Sequence, residues 1–227
     1  MTLTEIATQV VNLHGQTDAN SLALAKTIVK NKYEQIWNGS LWKDSVSIVT
    51  QTYTSGTTPL TVDSSLSTVL KVRWNNFPLQ LITYDDLMDI YGTNLLTSTA
   101  DSPKYFLPLP LDSNRNPVIQ ILGNPTTTQT VVIYGKLKFT QLTDTTSPTI
   151  NGIDQALVEF ASAYFLRRMN QYAKADNMEK QSANTVQALI DIENNQQADN
   201  HQVRPIVDDW NYAGDLMSNV METKSYQ

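Results

Sequence analysis

The chain has no cysteine, which removes disulfides, thiol nucleophiles and thiolate metal sites together. Histidine is almost as scarce. His14 sits at an expected helix end and His201 in a polar stretch. Neither has a partner at a spacing that suits metal ligation or a proton relay, so both are expected to be solvated or cap-like. Phosphate-binding signatures are missing as well: Gly135-Lys136 lacks the upstream glycine and following Ser or Thr, and no Gly-x-Gly-x-x-Gly occurs. No Gly-x-Ser-x-Gly frames a serine nucleophile. No apolar run approaches the ~20 residues that span a bilayer, and no basic-then-apolar segment resembles a secretory signal. The expected compartment is a cytosol, with no membrane contact.

Charge is also sparse. Only 17% of the 227 residues are charged, against 41% hydrophobic, and the remaining polarity comes from Thr, Ser, Asn and Gln. Such a neutral, hydrogen-bonding surface suits a protein packed against neighbours. The net charge of −6 argues against ordinary nucleic-acid binding, which needs Lys and Arg to neutralise phosphates. It does not bar a wall that DNA must pass without being gripped. The length fits one domain, or a main domain with an arm, and is enough for a core without staples.

Carboxylate pairs are the remaining route to chemistry. Asp85-Asp86 reads as the acidic start of a helix, and Asp208-Asp209 as a solubilising or base-seeking element of the tail. Asn38-Gly39-Ser40 reads as a helix stop. No catalytic, cofactor or metal site is expected.

Periodicity divides the chain into four parts. Residues 1–45 hold two helices. Leu3, Ile6, Ala7, Val10 and Val11 fall at helical spacing behind a Thr2/Glu5 capping box, with Gly15 as a stop. A longer helix runs from about Ser21 to Trp37, after the cap candidates Asp18 and Asn20. Its face is Leu22, Ala25, Ile28, Val29, Tyr33, Ile36 and Trp37. Residues 46–150 read as a small antiparallel β unit, with strands at Val46–Thr50, Val69–Trp74, Phe77–Ile82, Lys104–Leu109, Val118–Leu122 and Thr130–Phe139. Thr52–Thr68 reads as a long loop or flexible hairpin. A short helix, Tyr84–Tyr91, is capped by Thr83 with Asp86 and closed by Gly92, and a loop follows from Thr93 to Ser102.

Residues 151–197 read as an α-hairpin. Its first helix shows Ile153, Leu157, Phe160, Ala161, Tyr164, Phe165 and Met169, with Arg167 and Arg168 matched to the helix dipole. A polar break at Tyr172–Asn177 precedes a weaker face of Met178, Ser182, Thr185, Leu189 and Ile192, and Asp176 is expected to pair with Lys180. Glu193–Gln197 reads as a linker. Residues 198–227 form a docking arm. Pro205, Ile206, Trp210, Tyr212, Leu216, Met217, Val220 and Met221 are set among acids there, a composition that a disordered terminus avoids. These eight residues are the candidate contacts to a partner protein or a neighbouring subunit.

The ordered series of elements resembles the head-to-tail adaptors (head-completion, gatekeeper-like connectors) of tailed bacteriophages. It spans Leu3 to Glu193. The stretches that carry it begin with Tyr33-Glu34-Gln35-Ile36-Trp37 and the Trp42 turn. Val69-Leu70-Lys71-Val72-Arg73, Pro78-Leu79-Gln80-Leu81-Ile82 and Asp85-Asp86-Leu87 come next. Ser102-Pro103-Lys104-Tyr105-Phe106, Val118-Ile119-Gln120-Ile121 with Pro125, and Val131-Val132-Ile133-Tyr134 complete the β unit. The series ends with Ala156-Leu157-Val158 through Arg167 and the restart at Lys174-Ala175-Asp176. Ala175-Asp176-Asn177 stands where family members often place a Gly-Asp turn.

The resemblance implies an α+β fold in which the helix pair and α-hairpin form a helical body, with the β unit inserted and the C-terminal arm extended. It implies a structural virion protein of the neck, at the head-tail junction, assembled in the host bacterial cytoplasm. Such a protein is a homo-oligomer, usually a dodecameric ring below the portal, that extends the channel for double-stranded DNA without sequence-specific binding. It offers a platform to tail nozzle or tail-tube proteins, and its C-terminal segment commonly reaches onto the portal. The alternatives are another tail-completion or tail-tube component, a carboxylate-dependent cell-wall hydrolase, and a carbohydrate-binding module built on exposed aromatics.

Overall fold

A computed structural model describes residues 1–55, 59–87 and 102–202, the last seven as backbone only. The described part is α+β, with five helices around and beside one seven-stranded, nearly closed sheet.

The N-terminal helices begin where their caps dictate. α1 (Leu3–Leu13) opens on a reciprocal box in which the Glu5 N–H donates to the Thr2 hydroxyl and the Thr2 N–H donates to the Glu5 carboxylate. α2 (Ala19–Gly39) starts two residues earlier than the apolar pattern predicts, because the Asp18 carboxylate accepts from both Asn20 and Ser21 N–H groups. Asn20 therefore lies inside the helix.

A single 3-10 turn at Lys43–Ser45 carries the chain into β1 (Val46–Tyr53). β2 (Leu60–Thr61), β3 (Leu66–Trp74), β4 (Phe77–Leu81), β5 (Tyr105–Leu109), β6 (Val118–Ile121) and β7 (Gln129–Leu137) complete the sheet in the order β1-β7-β3-β4-β5-β6-β2. The stretch predicted as a loop from Thr52 to Thr68 thus holds the end of β1, all of β2 and the start of β3. α3 (Tyr84–Asp86) has its predicted Thr83/Asp86 box. The rest of that helix and the loop after it lie outside the described residues, apart from the buried Leu87 and from Ser102.

The sheet is not purely antiparallel, as expected from the alternating pattern. β4 and β5 pair in parallel, Gln80 with Tyr105 and Leu81 with Phe106, while every other pairing is antiparallel. The reason is the long connection between them, which is the length a parallel crossover needs. β1 and β2 are the two free edges. The Gln51 side chain joins them, its Nε2 donating to the Thr61 carbonyl at 3.3 Å and its Oε1 accepting from the Asp63 N–H at 3.1 Å.

Inside this near-barrel lie Tyr53, Leu66, Val72, Trp74, Phe106, Ile119, Ile121, Val131 and Ile133. Gly135 is required at the tightest crossing. A Cβ there would stand 2.5 Å from the Thr68 carbonyl oxygen, where β3 passes β7 between two register shifts.

α4 (Asp154–Arg168) and α5 (Tyr172–Gln202) form the hairpin. α1, α2 and α4 share one core, including Ile6, Val10, Val29, Tyr33, Trp37, Leu157 and Phe165, with Val186, Leu189 and Ile190 of α5 against it. α5 differs from expectation at both ends. It begins at Tyr172, so the predicted break at Tyr172–Asn177 is helical and the actual break lies just before it at Met169–Gln171, with Asn170 in the left-handed region (φ 59). Ala173 and Ala175 are good helix formers, and Ala175 is fully buried. It also runs through Glu193–Gln197, read above as a linker, because no Gly or Pro stops a helix before Pro205. At 31 residues it is roughly 46 Å long by helical rise.

Body and sheet meet at one junction. Trp42 is buried, its indole N–H donating to the Ile36 carbonyl at 2.9 Å. Lys136 Nζ donates to the Trp37 and Ser40 carbonyls at 2.8 and 2.9 Å, satisfying the C-terminal end of α2.

Candidate interaction surfaces

Several acids are engaged in local structure. Among the described residues, five carboxylates have shifted pKa values, all held low by hydrogen bonds. The partners are the Thr2 backbone for Glu5, the Ser21, Ser65 and Thr83 side chains for Asp18, Asp63 and Asp86, and the Asn116 backbone for Asp112. A general acid needs a shift in the other direction. Among the described residues, no group of three or more His, Asp or Glu could hold a metal ion, and no helix is long and apolar enough to cross a membrane.

His14 is the C-cap of α1, as its position suggests, but its ring is half-buried and stacks on Phe165. His201 lies within α5 rather than in a linker. Phe165 is core, as predicted, whereas Tyr164 turns outward at 43% exposure. Asp176 does not await Lys180. It pairs with Arg167, which also meets Glu179, so the arginine clamps α4 to α5 instead of merely facing the helix dipole.

Two recesses were weighed as binding sites. One of about 560 Å³ is lined, among the described residues, by a single face of α1 from Thr4 to Leu13. One helix face brings no polar groups into convergence. The other, about 270 Å³, lies between α2, α4 and α5. Its polar groups are already engaged: Lys32 sits over the Phe160 ring at 4.2 Å, Ser182 donates to the Ala156 carbonyl, and Glu179 holds Arg167.

The outer face of the sheet is different. Register places Ile48, Tyr134 and Lys71 in one row, and Thr50, Val132, Arg73 and Pro78 in the next. Cross-strand partners share a face, and these alternate with the inward Val49, Val72, Trp74, Val131 and Ile133. Ile48 is 66% exposed, although it lies at the centre of the predicted strand. Lys71, Arg73, Thr50 and Pro78 are exposed, and Val132 and Tyr134 half-buried. Neither Lys71 nor Arg73 forms an ion pair among the described residues.

This face is locally basic in an acidic chain. The segment 46–139 as a whole is neutral, with six Lys or Arg against six Asp, but Lys71 and Arg73 lie together on this face with no acid at the register positions beside them. Sequence reading missed it because the balance was taken over the whole chain. The signal was present in Lys71-Val72-Arg73-Trp74, whose alternation aims both cations one way.

The remaining surface is the end of α5. The Lys43 N–H donates to Glu193 at 3.1 Å, and Ile192 beside it is 52% exposed. The helix continues nine residues beyond Glu193. All eight predicted contact residues, Pro205 to Met221, lie outside the described residues. No protein-family model matches the chain, and no curated protein is significantly similar to it.

Proposed function

We propose that the protein is a structural virion subunit, a head-to-tail adaptor of a tailed bacteriophage. It forms a ring below the portal, extends the DNA channel and gives tail components their attachment platform. One observation carries the reading: a helix pair, an inserted β unit and an α-hairpin follow one another along the chain, with the first and last packed on a shared core. This is the order of elements on which the resemblance rests. Such a body suits side-by-side packing better than turnover of a substrate. The hydrogen-bonded carboxylates, and recesses without free convergent polar groups among the described residues, support the same reading. No feature of the fold favours the hydrolase or carbohydrate-binding readings over this one.

The test is deletion from Val203 onward. The truncated chain is expected to remain folded and soluble but to fail to join portal-bearing heads. Trp210→Ala should weaken joining more mildly, as loss of one aromatic anchor does. A truncated chain that joins heads normally sinks the docking role of the segment. One that aggregates shows that the segment belongs to the protein's own core.

A further inference from the structure

We infer that the outer sheet face around Lys71, Arg73, Ile48 and Tyr134 receives residues 203–227 of a second copy of this chain. The inference rests on the ring reading above for the partner being another copy. The receiving chemistry rests on the face itself.

The face offers two cations that are unpaired among the described residues, with a half-buried tyrosine beside Lys71 and an exposed isoleucine one strand farther along the same row. Lys71 and Arg73 are two residues apart on one strand, so their Cα atoms stand about 7 Å apart along it. A groove for nucleic acid would carry more charge and would not set Ile48, Val132 and Pro78 around its cations. A membrane surface would want a larger apolar projection than one isoleucine. A protein segment that is both acidic and aromatic fits both parts of the surface.

The chain supplies such a segment. Residues 203–227 hold Asp208, Asp209, Asp215 and Glu222 against Arg204 and Lys224, a net of −2, together with Trp210 and Tyr212. Charge complementarity between this segment and the Lys71/Arg73 pair favours their encounter and fixes its register.

Topology favours another copy as the recipient. Among the described side chains, the last hydrogen bond from α5 to the body is that of Glu193, and the helix continues to Gln202, roughly 13 Å farther by helical rise. The segment is therefore delivered from the end of a projecting rod. Its contact with a sheet face elsewhere on the molecule is heterologous, the kind that builds rings when the rotation closes.

The experiment uses the full chain and sedimentation velocity over a range of concentrations. The variants are Lys71→Glu/Arg73→Glu, Asp208→Lys/Asp209→Lys, and all four together. All the substituted face positions are exposed, and circular dichroism checks the fold. The wild type should self-associate. Each double reversal should weaken association about tenfold or more, and the fourfold variant should recover it to within about threefold, since the charge pattern is restored with its signs exchanged. Association unaffected by either reversal overturns the inference, as does a fourfold variant no better than the doubles. A wild type that stays monomeric throughout overturns it too. If head joining is lost in the Asp208/Asp209 variant while self-association is untouched, the segment serves the portal instead. In that case this inference falls and the adaptor reading stands.

Discussion

His14 shows how one side chain can set a pH response without any catalytic role. Its ring stacks on Phe165 with centroids 5.9 Å apart and planes within 6° of parallel. Its Nε2 is buried with no hydrogen-bond partner. Burial lowers its pKa below the ordinary 6.5, because the charged ring would lose hydration with nothing to replace it. As pH falls through 6.5 the unfolded chain takes up a proton that the folded chain refuses, so stability declines until the folded ring also titrates. The five lowered carboxylates act in a separate window. Their contribution is present above their ordinary values of 3.8 to 4.5 and is lost as pH falls through the lower folded values. Between about pH 4.5 and 6.5 the slope of the urea midpoint is therefore expected to belong largely to His14. His14→Phe, which keeps an aromatic ring against Phe165, should flatten that slope and leave the fall at lower pH intact. An unchanged slope would mean that the ring is solvated in both states. The sequence placed His14 at a helix end correctly. It carried no sign of Phe165, because that contact is made by helices far apart in the chain.

At the scale of elements, the closure of the sheet rests on a side chain rather than on a ladder. β2 is only two residues long, too short to zip along the eight residues of β1, and Gln51 spans the gap with both ends of its amide. Gln51→Ala should cost about 1 kcal/mol, the net worth of hydrogen bonds at a partly exposed site. The more telling readout is local. The Asp63 amide donates directly to Gln51, so its hydrogen exchange should speed up in the variant while the interior of β7 is unaffected. An unaltered Asp63 rate would mean that the edges are held by something else. Sequence legibility divided along the same line. Helix starts were readable because Thr2 with Glu5, Asp18, and Thr83 with Asp86 act within one turn of themselves. Six of the seven strands were readable from alternation, while the two-residue β2 was too short to show a pattern. Strand order was not readable, since the central position of β7 between β1 and β3 depends on contacts remote in sequence. The ends of α5 were misread because its polar stretches lack an apolar period, although they contain no helix breaker. The basic sheet face needed the register of three strands before it existed as a surface.

For the whole molecule, the question is whether helical body and sheet behave as one cooperative unit. Each has its own apolar cluster, and each is large enough to melt by itself. What couples them is concentrated at one place. Leu137 packs against both clusters, Trp42 is buried between α2 and β1, and Lys136 of β7 donates to two carbonyls at the end of α2. The lysine is the polar member of this joint, and burial lowers its pKa, so the ammonium is tolerated there because the carbonyls receive it. Lys136→Met keeps the length of the side chain and removes its donors, leaving two C-terminal carbonyls unsatisfied at a half-buried site, at a cost of roughly 1–3 kcal/mol. If the joint carries the cooperativity, this loss will not be spread evenly. The wild type should melt in one transition with equal calorimetric and van't Hoff enthalpies. The variant should show a calorimetric enthalpy exceeding the van't Hoff value, as the two clusters begin to unfold separately. A variant that melts earlier but still as one transition would assign the coupling to Leu137 and Trp42. In the ring proposed above, the fixed relation of sheet face and α5 would depend on that joint more than on the size of either cluster.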